Sequence, residues 1–200
     1  MSTDIILASG SLIRSKLLQD SGVVFHVKKH KIDEEEEKKT LIKNNIEPKK
    51  ISINLAIKKA MDVSKSYKNS FIIGCDQALV FNNVVFSKAK SPEELRQQLL
   101  LLKGKNHKLY SSCAVLYQEK IVWSYTAEIV LLMRDINQRE INTYVDKNWE
   151  RVRNSVGGYL IESTGKRLFK TIKGDYFSAL GLPIMELLDF LILKKVVNIV

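Results

Sequence analysis

Ile5-Ile6-Leu7-Ala8-Ser9-Gly10-Ser11-Leu12-Ile13-Arg14-Ser15-Lys16-Leu17-Leu18 decides how this chain folds. The unbroken apolar run from Ile5 to Ala8 reads as a strand buried on both faces. Two serines and a glycine then turn the chain, and Leu17-Leu18 restores helical spacing. Strand, turn and helix in quick succession open an α/β protein. Backbone N–H groups at a helix start point outward with partial positive charge, so this turn suits phosphate. Arg14 adds a planar fork of donors matched to phosphate oxygens. The same residues also suit an ordinary serine N-cap beside a solvated arginine.

Working outward, residues 4–9 read as a strand, 11–21 as a helix closed by Gly22, and 23–30 as a second strand. Residues 31–48 are polar and the least regular; the acidic run Asp33 to Glu37 reads as a solvated loop or helix start that turns one or two carboxylates toward a site. Ile51, Leu55, Ala56, Ala60 and Val63 recur at helical spacing over 50–67. Phe71-Ile72-Ile73-Gly74-Cys75 is a buried strand that ends at Asp76. Asn82-Asn83 marks a hairpin. Ser91-Pro92-Glu93-Glu94 caps a helix that runs to Leu102 and stops at Gly104. Strands at 107–117 and 121–133, joined at Gln118-Glu119, precede helices at 136–147 and 183–197. The expected fold is α/β, a mixed twisted sheet flanked by helices, in one domain spanning 1–200.

The formal charge is +10, carried by 25 Lys and 7 Arg. The lysines are scattered as Lys28-Lys29, Lys49-Lys50, Lys58-Lys59 and Lys194-Lys195, without an arginine stripe or interleaved aromatics. This fits a polyanionic ligand without singling one out, and no specific nucleic acid is expected. Cys75 and Cys113 have no metal-ligand spacing and read as buried free thiols in a reducing compartment. The last apolar segment is broken by Asp189, Lys194 and Lys195, so no membrane span is expected and the cytoplasm is the expected location.

Asp76 is the leading candidate for chemistry, because a carboxylate released from an apolar strand beside a glycine can hold a metal or activate water. A turn-forming aspartate is the plainer alternative. Lys59 and Lys88 are candidate phosphate partners, or solvated lysines. Lys103-Gly104-Lys105-x-His107 could approach phosphate or simply close a helix. Gly157-Gly158-Tyr159 with Glu162 could stack on and hydrogen-bond a base, or be a loop and strand.

In order along the chain, Leu7-Ala8-Ser9-x-Ser11-x-x-Arg14-x-x-Leu17-Leu18, Ile32-Asp33-Glu34, Leu55-Ala56-x-x-Lys59-Ala60, Ile73-Gly74-x-Asp76, Lys88, Gly104-Lys105-x-His107, Gly157-x-Tyr159 and Gly174-Asp175-Tyr176-Phe177-x-x-x-Gly181-Leu182-Pro183 are present. Together they resemble the Maf family of nucleoside triphosphate pyrophosphatases. The resemblance implies a Maf/ITPase-like fold with two lobes around a cleft, a homodimer, and cleavage of a triphosphate between its α and β phosphates. It implies that Ser9, Arg14, Lys59 and Lys88 hold the triphosphate. Asp76, as general base, would form the catalytic group with Glu34 and Lys88. Mg²⁺ or Mn²⁺ would be bound through Asp76 and Glu34, and Ile13, Gln77 and Glu162 would shape the base pocket. That last trio is similar to the 7-methyl-GTP branch rather than the dTTP/UTP branch. The alternatives are a non-catalytic nucleotide or nucleic-acid binder acting in division arrest, and an enzyme for other noncanonical triphosphates.

Overall fold

A computed structural model describes residues 4–199; residues 1–3 and 200 of the expected domain lie outside the described residues. In chain order the elements are β1 (Ile5–Leu7), α1 (Leu12–Asp20), β2 (His26–Val27), α2 (Glu34–Lys43), α3 (Pro48–Ser64), β3 (Phe71–Phe81), β4 (Val84–Val85), α4 (Pro92–Leu102), β5 (Asn106–Tyr117), β6 (Lys120–Met133), α5 (Gln138–Val152), β7 (Phe169–Lys173), α6 (Tyr176–Ala179) and α7 (Ile184–Leu193). The strands form one open sheet in the order β2-β1-β3-β5-β6-β7, with β4 also on β3. β2, β1 and β3 run parallel, and every other pairing is antiparallel. The expected mixed α/β architecture is therefore present.

β3 organises the molecule. Its alternate residues face opposite sides of the sheet, as a pleated strand requires. Ile72, Gly74 and Asp76 face α3, where Ile72 packs with Ala56 and Ala60. On the other side, Ile73 and Cys75 pack with Leu18 of α1 and Leu187 of α7. Farther along that same side, Leu79 packs with Leu95 of α4 and Ile141 of α5. These are two separate apolar clusters on one side of the sheet. Gln77 lies between the strand residues that anchor them. Fully buried Leu18, Leu79 and Leu95 each contribute roughly 2 kcal/mol of hydrophobic stabilisation.

Three sequence expectations change. The strand expected to end at Asp76 runs on to Phe81, because Ala78-Leu79-Val80 stay buried and β5 pairs with β3 from Ile72 through Val80. Asp76 thus leaves the face of a long strand, not a tip. Residues 31–48, expected to be the least regular, contain the ten-residue α2, in line with the helix-start reading of the acidic run; its first turn is capped by the Asp33 side chain accepting from the Glu35 and Glu36 N–H groups. The second strand contracts to His26–Val27. β7 carried too little apolar alternation to be expected; its central Lys170 and Thr171 are exposed. Among the described residues no helix is long and apolar enough to cross a membrane.

Gly74 fixes how closely α3 approaches the sheet. A Cβ there would lie 2.1 Å from the Ala56 carbonyl oxygen and 2.8 Å from the Ala60 Cβ. Backbone cannot yield as a flexible side chain can, so Gly74→Ala is expected to lower stability by about 2 kcal/mol or more in urea unfolding. An unchanged unfolding midpoint would mean that α3 is not held this tightly.

Candidate active site

The site forms where β3 loses its neighbours. β1 pairs with β3 only as far as Leu7 opposite Ile73, and β4 begins pairing only at Val80. Between those points the backbone of one β3 edge needs partners other than a strand. Arg14 supplies a donor: its Nη1 donates to the Cys75 carbonyl at 3.1 Å, and its Nε to the Gly181 carbonyl at 2.8 Å. Nη1 also reaches Ser9 Oγ at 3.4 Å, and that oxygen accepts from the Ser11 N–H at 3.2 Å. Arg14 thus ties the hydroxyl turn to β3 and to the loop before α7.

A second set of charges comes from the α3 side of β3. Lys59 is only 3% exposed in its side chain, so its ammonium has lost nearly all its water. Such a charge costs several kcal/mol unless it is closely paired. It donates to Asp76 Oδ1 at 2.6 Å and lies 3.1 Å from Glu34 Oε1. One ammonium therefore fixes two carboxylates on separate elements. Lys88 adds a looser contact, 3.8 Å from Glu34 Oε2, and His30 Nε2 lies 3.3 Å from Glu34 Oε1. The His30 hydrogen bond and the Lys59 and Lys88 charges outweigh burial and hold the Glu34 carboxyl far below the usual carboxylate range.

Both sets open into one cleft of about 690 Å³. Ser9, Ile13, Arg14, Glu34, Lys59, Asp76, Gln77, Lys88 and Glu162, all singled out from sequence, line it together. Sequence reasoning missed His30, Lys38 and Arg151, which line it too. A lysine four residues after Glu34 shares its helix face, so Lys38 was legible once α2 was known to be a helix.

Gln77 has a fixed orientation. Its Nε2 donates to Ser111 Oγ at 2.7 Å, to the Ala179 carbonyl at 3.1 Å and to the Ser178 carbonyl at 3.3 Å. Turning the amide over would set its oxygen against two carbonyl oxygens. The amide therefore keeps Oε1 as its free acceptor.

The cleft side chains include Asp76 and Glu34, hard oxygen donors, while no group of three or more His, Cys, Asp or Glu is gathered among the described residues. Lys59 engages Oδ1 of Asp76 and Oε1 of Glu34. That set fits a cation shared with substrate phosphates, as Mg²⁺ characteristically is, better than a metal caged by protein alone.

A family model described as Maf-like protein matches residues 4–193. The chain belongs to this family. It is 40% identical over 198 residues to a protein named nucleoside triphosphate pyrophosphatase from Ruegeria sp. (strain TM1040), covering 99% of this chain and 100% of that one. It is 39% identical over 184 residues to a 7-methyl-GTP pyrophosphatase of Bartonella henselae, covering 92% of each. Identity to a 7-methyl-GTP pyrophosphatase of Brucella abortus is 34% over 198 residues, 99% of this chain and all of that one.

Two features of this Maf-like chain have two readings each from sequence, the tyrosine loop and the basic turn after α4. Tyr159 lines the cleft but is nearly buried: its hydroxyl meets His107 Nε2 at 2.9 Å, and Phe169 packs edge-on against its ring. The basic turn closes α4 and is not part of the cleft lining. Gly104 adopts φ 68° as the helix closes, Lys105 lies over the Phe81 ring, and His107 is buried, its imidazole pushed down to about 4 by desolvation. Cys75 and Cys113 are free and buried, as expected.

Because Glu34 titrates lower in the folded chain than in the unfolded one, its stabilising contribution is complete above the ordinary carboxylate range and is lost as pH falls. The stability advantage of the natural chain over Glu34→Gln is expected to shrink between about pH 5 and pH 3 in urea unfolding. An advantage that stays constant across that window contradicts the His30, Lys59 and Lys88 contacts assigned to Glu34.

Proposed function

We propose that this chain is a nucleoside triphosphate pyrophosphatase, cleaving the α–β phosphoanhydride to a monophosphate and pyrophosphate. The observation that carries the reading is the position of Asp76: its carboxylate is pinned by buried Lys59 in the same cleft as Ser9 and Arg14. Phosphoryl chemistry needs an aligned water and neutralised charge more than covalent help. Asp76, with Oδ1 engaged by Lys59, has Oδ2 to accept the proton of the attacking water. Lys59 then holds the proton on the side away from itself by staying hydrogen-bonded to Oδ1. Arg14, Lys59 and Lys88 face the charge that builds on the phosphate oxygens. Ser9 supports the same oxygens from the turn.

The charge balance supports a divalent cation. Five cations (Arg14, Lys38, Lys59, Lys88, Arg151) face four carboxylates (Glu34, Glu35, Asp76, Glu162) across the cleft. That near-neutral lining cannot balance a triphosphate by itself. Mg²⁺ or Mn²⁺, held by Asp76 and Glu34, would supply the missing positive charge to the phosphate oxygens.

The preferred base in this reading is guanine, in 7-methylated form. The fixed Oε1 of Gln77 and the carboxylate of Glu162 are both acceptors, suited to the N1–H and amino donors of guanine. A carboxylate also favours the positive ring that 7-methylation creates. The names of the Bartonella and Brucella relatives agree with this preference. A basic nucleic-acid binder is less well supported, since the cations of the cleft interleave with carboxylates rather than forming a continuous phosphate track.

Folded Asp76→Asn is expected to lose at least about a hundredfold in turnover while still binding nucleotide, the scale of a lost general base. Product analysis should find monophosphate and pyrophosphate in equal amounts from the natural chain. Release of orthophosphate and a diphosphate would reject the assigned bond. Glu162→Gln is expected to lower the ratio of 7-methyl-GTP to UTP turnover by about tenfold, the worth of one charge-assisted hydrogen bond. A ratio that does not move removes Glu162 from base selection.

A further inference from the structure

We propose that Lys38 is a leaving-group residue, holding the end of the triphosphate that departs as pyrophosphate; this rests on the pyrophosphatase reading above. Lys38 belongs to none of the sequence motifs, yet its side chain is only 12% exposed and lines the cleft. It lies one helical turn beyond Glu34, so α2 turns both residues to the same side. The Asp33 cap starts the helix at the residue that places them there.

The local contacts leave Lys38 free to bind an anion. Its Nζ has one carboxylate partner, Glu35 Oε1 at 2.7 Å, whereas the more buried Lys59 is shared by two. An ammonium has three donors, so Lys38 keeps two for a ligand. The second oxygen of Glu35 accepts from Ser87 Oγ at 3.1 Å, and the next residue, Lys88, lies 3.8 Å from Glu34. α2 and the segment after β4 thus build one wall from interleaved carboxylates and ammoniums. Lys38 and Lys88 are its two lysines.

Lys59, which holds Asp76, meets Glu34 at Oε1, whereas Lys88 meets it at Oε2, so the wall of α2 continues the line of charges that begins at Asp76. With the base at Ile13, Gln77 and Glu162 and the reacting phosphate at Asp76, the β and γ phosphates extend toward α2. A nearly buried ammonium there meets the charge released when the α–β bond breaks. An ordinary intrahelical ion pair would do no more than fasten the helix surface.

Titration calorimetry with inorganic pyrophosphate and Mg²⁺ tests this on the full chain, using the natural protein, Lys38→Met and Lys38→Arg, with the nucleoside monophosphate as a second ligand. Lys38→Met is expected to weaken pyrophosphate binding by about tenfold or more, to leave monophosphate binding within about twofold, and to be largely rescued by Lys38→Arg. Pyrophosphate binding unaltered in Lys38→Met, or an equal loss for both ligands, overturns the assignment. So does a natural chain that fails to bind pyrophosphate. If the natural chain still releases pyrophosphate from a triphosphate, only the role of Lys38 fails. If it does not, the pyrophosphatase reading fails as well.

Discussion

A lysine ammonium with almost no water around it governs this cleft. Lys59 is viable inside the fold only because Asp76 and Glu34 close on it from β3 and α2. The requirement is mutual, since each carboxylate would meet the others' charge without that ammonium between them. Three consecutive elements, α2, α3 and β3, are thereby locked in one geometry. α3 must lie close against the sheet for Lys59 to reach, and Gly74 provides that approach by presenting no Cβ to the Ala56 carbonyl.

The same economy of contacts appears at the open edge of β3. A strand that loses its neighbour exposes backbone acceptors, and Arg14 satisfies the Cys75 carbonyl while touching Ser9 and Gly181. Much of its hydrogen-bonding capacity is thus structural. The gap it spans is also what lets Asp76 and Gln77, which point to opposite faces, serve a common cavity. In the proposed reading, chemistry is set on one face and base selection on the other. The Ser111, Ser178 and Ala179 contacts make Gln77 an acceptor with no freedom to become a donor.

Much of this was legible beforehand. The apolar run before Ser9, the helical spacing through Lys59 and the hairpin at Asn82-Asn83 each declared a local structure that tertiary packing kept. Six residues of the collinear motifs, Ser9, Arg14, Glu34, Lys59, Asp76 and Lys88, line one cleft with Ile13, Gln77 and Glu162. What stayed hidden depends on neighbours. Asp76 looked terminal because a charged residue interrupts an apolar run, yet its burial is sustained by a lysine from another element. The start of α2 is one of two readings of the acidic run, but its full length is hidden in a mostly charged sequence; the fold stabilises it through Leu41 and through pairs with Lys59 and Lys88. Nothing in the segment of Tyr159 shows that His107 and Phe169 pack against its ring.

The interdependence of Lys59 and Asp76 is most directly measured by a double-mutant cycle in urea unfolding with Lys59→Met, Asp76→Asn and the double variant. A buried, mutually required pair predicts that the double change costs less than the two single changes together, by at least about 2 kcal/mol. Effects that sum to within about 0.5 kcal/mol contradict it, and with it the view that one buried charge organises the cleft.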